Sequence, residues 1–310
     1  MVLFALAALV LLTAFITWRM CFYSPVKGQN DIYNYPREEQ YLPYREAALG
    51  MIRAMAEIPF EKVSIRSRDG LRLAGRLYPG KENAPVAICF HGYRAMALRD
   101  FCGGARDILA MGCHLLLVDQ RAQGDSDGHT MTFGIRERED CAEWVRFAAE
   151  RFGKDCPIAL YGISMGATTV LMASGSDFPG NVRCIVADCP YSSPKAVIRK
   201  VCRDMGLPDG LCWPFLRLGA RLCGGFDPEE TTAAAEVRKS KVPILILHGE
   251  DDRFVPCAMS EEIAAASPLA ERYTFPGAGH GLSYMADRER YMKLVKDMLR
   301  RSGIPTEEIM

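Results

Sequence analysis

Residues 162–166 read Gly162-Ile163-Ser164-Met165-Gly166, a serine held between two glycines at the spacing of a tight turn. A serine hydroxyl is a weak nucleophile at neutral pH, and it becomes effective only where a base removes its proton as the new bond forms. The turn would set Ser164 at a strained apex, where side chains at the flanking positions would strike the neighbouring strand and helix, so both are glycine. The chemistry this points to is acyl transfer. It calls for a histidine, an acid to orient that histidine, and two amide donors for the oxyanion.

The surroundings fit. The preceding IALY is a buried-strand signal and the following ATTVLMAS begins a helix, so the serine stands in a strand-turn-helix setting whose helix N-terminus aims amides at the reacting oxygen. In sites of this kind the chain order is serine, acid, histidine. Of five histidines, only His280 lies beyond both Ser164 and the later strand-end carboxylates; it sits in the glycine-rich PGAGHG after the short strand-like ERYTF. The acid is offered by HGEDDRFVP, which follows the strand PILIL and contains Glu250, Asp251 and Asp252. Sequence physics does not choose among the three. For the oxyanion, Met165 supplies one amide as the residue after the nucleophile. Tyr93, after PVAICF-His91-Gly92, is placed to supply the other, with Gly92 letting the backbone come close.

These residues need a scaffold that brings strand ends together. The runs PVAICF, HLLLVD, IALYGI, VRCIVAD and VPILILHG have the length and lack of alternation of strands buried on both faces, which predicts a parallel sheet. Helical stretches lie between them, and KVSIRSRDGLRLAGRLYP reads as an antiparallel hairpin turning at Asp69-Gly70. The expected class is α/β, a mostly parallel central sheet flanked by helices. From about 191 to 237 no strand is predicted, and two or three short helices are expected there as a lid over the carboxyl ends of the strands. Its Trp213, Phe215 and Phe226 are expected mainly to pack within the lid.

The start of the chain has another character. From Met1 to Trp18 there is no charged side chain, close to the roughly 20 residues that a bilayer-spanning helix needs. Arg19, Lys27, Arg37 and Arg45 all follow the apolar run, and Trp18-Arg19-Met20 suits a cleavage site poorly, so an uncleaved anchor is expected. Basic residues beyond the span predict a single-pass protein of the cell membrane with its N-terminus outside and its catalytic domain in the cytoplasm, and Trp18, Phe22 and Tyr23 at the interface. The division expected is an anchor at 1–20, a connector with one amphipathic helix at 21–59, the catalytic domain at 60–303 and a tail at 304–310. The 12 cysteines include no CxxC pair and read as small buried thiols, Cys89, Cys113 and Cys184 among them, suited to a reducing compartment. Lys and Arg balance Asp and Glu at 38 each, with no basic run to follow a phosphate backbone, which argues against nucleic acid as a partner.

Taken in order, FHGY, VDQRAQGDSDG, YGISMG, HGEDDRFVP and GAGHG resemble the α/β-hydrolase family from Phe60 to Arg301, and within it the membrane-anchored bacterial hydrolases described as serine-aminopeptidase-like. The resemblance implies that the acid is the aspartate three residues after the glycine of the HG-x-x-D-x-x-VP pattern, Asp252, with Asp251 as second choice. It also assigns the oxyanion amide to Tyr93, and it leaves Asp119, Arg121 and Ser126 a structural role. Gln120 and Ala122-Gln123 depart from the Arg-Gly-His type of run common in relatives, a departure that bears on the rim of the site. The expected activity is hydrolysis of a carboxylic ester or thioester through an acyl-enzyme, with no cofactor and no metal. The substrate would be a small acyl compound, with lipid-like compounds among the candidates. A serine aminopeptidase or amidase is the alternative within the family, and a catalytically silent anchored binding module the alternative outside it.

Overall fold

The computed structural model describes residues 1–24, 31–178 and 181–305; Lys27 of the expected basic flank and positions 306–310 of the expected tail lie outside them. An apolar helix α1 (Val2–Cys21) and a 3-10 turn (Glu39–Tyr44) precede α2 (Arg45–Ala56), the hairpin β1 (Glu61–Arg66) and β2 (Arg72–Tyr78), and β3 (Val86–Phe90). There follow α3 (Ala97–Asp100), α4 (Gly104–Ala110), β4 (His114–Val118), α5 (Glu137–Phe152), β5 (Ile158–Ile163), α6 (Met165–Ala173) and β6 (Val182–Asp188). The insertion contributes α7 (Pro194–Asp204), α8 (Asp209–Leu222) and α9 (Ala233–Val237). The chain then closes with β7 (Ile244–Gly249), α10 (Cys257–Ala264), β8 (Ala270–Phe275), α11 (Ser283–Ala286) and α12 (Arg288–Arg301).

The eight strands form one sheet in the order β1-β2-β4-β3-β5-β6-β7-β8, antiparallel at β1, β2 and β4 and parallel from β4 through β8. Alternate residues of the central strands enter opposite layers. Val86, Ile88 and Phe90 pack with Trp144, Val145 and Leu171, whereas Ala87 and Cys89 pack with Ile52, Met55, Val295 and Leu299. Burial on both faces is why these strands show no polar alternation. Register aligns the carboxyl ends: Phe90 lies beside Gly162, Gly162 beside Ala187 and Gly249 beside Phe275. The chain reverses its direction of strand addition around β3, and the crevice outside such a reversal is where α/β sheets place ligands.

The segment expected to be a connector is built into the domain. α2 buries Ala48, Leu49, Ile52 and Met55 against the second layer, the side opposite the insertion. α1, the one helix among the described residues long and apolar enough to cross a membrane, also has a docked part. Ala14 is buried, a Cβ on Gly219 of α8 would lie 2.2 Å from its carbonyl oxygen, and Thr17 Oγ1 donates to Phe215 O at 3.2 Å. Among the aromatic residues expected at a membrane interface, Phe22 instead lies fully buried, edge-on to Phe133 and Phe226 at 5.6 and 5.3 Å. The domain's own core takes up the ring that a bilayer surface would otherwise hold. Trp18 and Tyr23 are half-buried and meet edge-on at 5.1 Å. The twelve cysteines are free, with Cys89, Cys113 and Cys184 buried.

Candidate active site

Ser164 stands between β5 and α6 with φ 56° and ψ −115°, a backbone state that costs a non-glycine residue about 1–3 kcal/mol and is kept only where its surroundings over-determine it. The flanking glycines do so. A Cβ on Gly162 would lie 2.3 Å from the Gly166 carbonyl, and one on Gly166 would lie 1.8 Å from Phe90 O. Gly166 therefore lets the first turn of α6 touch the end of β3, which brings the loop after β3 to the serine. The Ser164 amide donates to Asp188 O at 2.9 Å, tying the turn to β6.

His280 and Asp252 arrive from the ends of β8 and β7. His280 Nε2 lies 2.9 Å from Ser164 Oγ, and His280 Nδ1 lies 2.6 Å from Asp252 Oδ2. A carboxylate can only accept, so Nδ1 carries the proton and Nε2 is left to accept from the serine hydroxyl. Asp252 Oδ1 accepts from the amides of Phe254 and Val255 at 2.9 and 2.8 Å, and His248 Nε2 stands 3.3 Å from Oδ2. Burial pushes the Asp252 carboxyl up, but hydrogen bonds from His248, His280 and Val255 outweigh it and hold the group well below the usual carboxylate range. Glu250 and Asp251, which the sequence left open, are exposed, and Glu250 accepts from Thr274 Oγ1 at 2.6 Å. Neither is paired with the imidazole.

Tyr93 and Met165 both lie beside the serine. Met165 begins α6. Gly92 passes so close that a Cβ on it would be 3.5 Å from Ser164 Cβ, and its own amide donates to Asp100 Oδ2 at 2.8 Å, which leaves Tyr93 as the next amide along the loop. Asp119, Arg121 and Ser126 stand apart from the serine. Arg121 is buried between Asp140 (2.6 and 2.7 Å) and Asp69 (3.0 and 3.3 Å), and Ser126 Oγ donates to Asp119 O while accepting from the Ala74 amide. They fasten the hairpin to the loop after β4.

Three contributors were not singled out from sequence for their contacts here. Gln120, noted there only as a departure from the family run, joins three elements: its amide donates to His91 Nε2 at 3.1 Å, its side chain donates to His91 O at 2.5 Å, and it accepts from Thr169 Oγ1 at 3.0 Å. Gln40, in the turn before α2, accepts from the His280 amide at 3.1 Å, and a Cβ on Gly279 would lie 2.2 Å from its oxygen. Asp188, the last residue of β6, is buried and accepts from Ser283 Oγ at 2.9 Å; burial pushes its carboxyl up to about 6. A carboxylate at a strand end was the one available signal for Asp188. Gln40 offered none, because nothing local ties it to a residue 240 positions away.

A cavity of about 350 Å³ opens over Ser164 and His280. Tyr35, Gln40 and Tyr41 wall it from the N-terminal side, Arg99 and Asp100 from the end of α3, and Leu282 and Tyr284 from α11 and the turn before it. No residue of the insertion 191–237 lines it. The insertion's Trp213, Leu216, Ala220 and Phe226 are buried in the first core layer, Phe215 is half-buried, and Trp213 Nε1 donates to Glu229 at 2.8 Å.

Residues 87–294 match the alpha/beta hydrolase family. The chain belongs to that family. The chain is 28% identical over 205 residues to the uncharacterized protein YqkD of Bacillus subtilis (64% of this chain, 66% of that protein). It is also 28% identical over 210 residues to the thiohydrolase aneE of Aspergillus aculeatus (65% of this chain, 64% of that protein). The matches thus span just under two thirds of the length of these two curated relatives. Among solved structures it is similar to an esterase of Pyrococcus furiosus, with TM-score 0.63 and 21% identity over 80% of this chain and 93% of the other, a likeness of fold.

Proposed function

We propose that this hydrolase cleaves carboxylic esters or thioesters by two-step acyl transfer, with Ser164 as nucleophile, His280 as general base and then general acid, and Asp252 as the residue that orients the imidazole. The observation that carries the reading is the continuous relay from Ser164 Oγ through His280 to Asp252 at 2.9 and 2.6 Å. Oγ attacks the acyl carbon while its proton passes to His280 Nε2, and the carbonyl electrons move onto an oxygen held by the amides of Met165 and Tyr93. As the carbonyl re-forms, the bond to the alkoxide or thiolate breaks, and that leaving group takes the proton from Nε2. Water then attacks the acyl-serine, gives a proton to Nε2, and the acyl-Oγ bond breaks as Ser164 regains a proton.

Two further features belong to the proposal. The thiohydrolase relative favours including thioesters beside esters. The apolar α1 supports a single-pass location at a membrane, and the basic residues that follow it favour a catalytic domain in the cytoplasm, where acylated, lipid-like compounds are substrates within reach. The test is turnover by the purified full chain across a panel of aryl esters, acyl thioesters and aminoacyl amides. Ser164→Ala and His280→Ala should each lower kcat by about four orders of magnitude or more and abolish fluorophosphonate labelling. Near wild-type turnover in either variant refutes the assignment. Preferential cleavage of the amides would move the reading to an aminopeptidase, and an unlabelled, inactive wild type to a binding module.

A further inference from the structure

We propose that the last turn of α1 is a positioning element for the oxyanion loop, so that the membrane helix sets the geometry of catalysis as well as the protein's location. The inference rests on the functional reading above, in which the Tyr93 amide serves the oxyanion. Two consecutive residues of that loop grip the end of the helix. The Tyr93 hydroxyl donates to Cys21 O at 2.7 Å, and the Arg94 guanidinium donates to Met20 O at 2.9 Å and Tyr23 O at 3.1 Å. Met20 and Cys21 lie in the final turn of α1, where carbonyls have no partner within the helix and the dipole favours a cation.

Apolar contacts repeat the connection. The Tyr93 ring lies 5.1 Å from that of Phe133, which meets Phe22 at 5.6 Å, and Arg94 stands 5.0 Å over the Tyr93 ring. Arg94 is held at φ 49°, a left-handed state that a non-glycine residue keeps only under local constraint. Tyr93 is therefore fixed at its ring, at its hydroxyl and through the residue that follows it. Its backbone lies beside Gly92, which is packed against Ser164. A phenol ring turns about only two torsions, so a clamp on its far end constrains the peptide from which it grows. Oxyanion donors act only when aimed at the point where charge develops, and small errors of aim are costly in rate.

The arrangement makes Tyr93 and Arg94 positioning residues through their side chains, separate from what the Tyr93 amide does. The experiment uses the full chain in detergent micelles with a soluble 4-nitrophenyl ester. Tyr93→Phe keeps the ring and removes only the hydroxyl; Arg94→Ala removes the other grip, and Arg94→Lys restores a cation. Tyr93→Phe and Arg94→Ala are each expected to lower kcat about tenfold with KM within twofold, and the pair together further, while Arg94→Lys recovers part of the loss. Affinity for a trifluoromethyl ketone, which forms a tetrahedral adduct with the serine, should fall by the same factor as kcat. A loss confined to stability would leave that affinity intact in the folded molecules. Gly219→Leu acts on α1 earlier along the helix, at Ala14 and Trp18, and should reproduce the fall in kcat; if it does not fold, Tyr93→Phe decides alone. An active wild type whose Tyr93→Phe and Arg94→Ala variants keep kcat and ketone affinity within twofold overturns the inference and leaves the hydrolase reading standing. A wild type that turns over no ester, thioester or amide and takes no fluorophosphonate overturns both.

Discussion

The segment around 31–56 and the insertion 191–237 exchange the parts that their positions in the chain suggest. The first lies between an apolar helix and the first strand, the usual place of a tether, yet it supplies Tyr35, Gln40 and Tyr41 to the cavity wall and four buried residues of α2 to the core. The second lies after β6 near the strand ends, the usual place of a lid. It lines none of the cavity and instead packs α8 against α1. Amphipathic periodicity reports that a helix face is buried but is silent about what buries it. Two helical segments with similar patterns can therefore serve opposite ends of a molecule.

The strongest way to break this comparison is Ile52→Ala. Ile52 is fully buried, and truncation of such a side chain costs about 2–5 kcal/mol, read as a lower urea midpoint for the whole domain. A tether would leave the midpoint unchanged.

Next in size is a test at the boundary where β6 hands over to the insertion. Asp188 has its carboxyl raised by burial from 3.8 to about 6. Between those values the unfolded chain loses its proton while the folded one keeps it, so stability falls as pH rises through this window and levels off above it. The full penalty is at most about 3 kcal/mol. Asp188→Asn should match the wild type in thermal midpoint near pH 3.5 and exceed it increasingly up to about pH 7; a constant difference across that range would contradict the burial argument.

The smallest effect is the sharpest. Gln40→Ala removes one hydrogen bond to the His280 amide and should lower kcat/KM about tenfold, whereas Leu211→Ser, on an exposed part of the insertion, should leave it within twofold. Gly279→Ala would drive a methyl into the Gln40 side chain and should be at least as harmful, yet milder when Gln40 is also alanine. Additive losses in the double variant would show that the two residues do not meet in solution.

These tests also mark where the sequence stopped being informative. The Ser164 turn was legible because its strain requires glycine at 162 and 166, and strain leaves a local residue signature. The parallel strands were legible because burial on both faces removes alternation, and the hairpin because its turn needs Asp69-Gly70. Chain order alone pointed to His280. The choice among Glu250, Asp251 and Asp252 depended on resemblance, since which carboxylate turns inward is decided by the amides of Phe254 and Val255, and the sequence does not display that geometry. Gln120 looked like a departure at the rim, although an amide side chain that both donates and accepts is suited to joining His91 to Thr169. Phe22 is ambiguous in sequence because an aromatic ring at the end of an apolar helix satisfies a membrane surface and a protein core equally well.

The notch at Gly219 has a consequence for how the protein would meet the substrate proposed for it. A 20-residue helix is about 30 Å long, and α1 is fastened to the domain from Ala14 onward, so residues 2–13, about 18 Å of it, stand free of that contact. With α1 in a bilayer there is no swivel between helix and domain, so the cavity is held at a fixed height and tilt above the lipid surface. Catalysis on an amphiphile would then answer to its density within the membrane plane, in molecules per unit area, and only weakly to its concentration in the surrounding water.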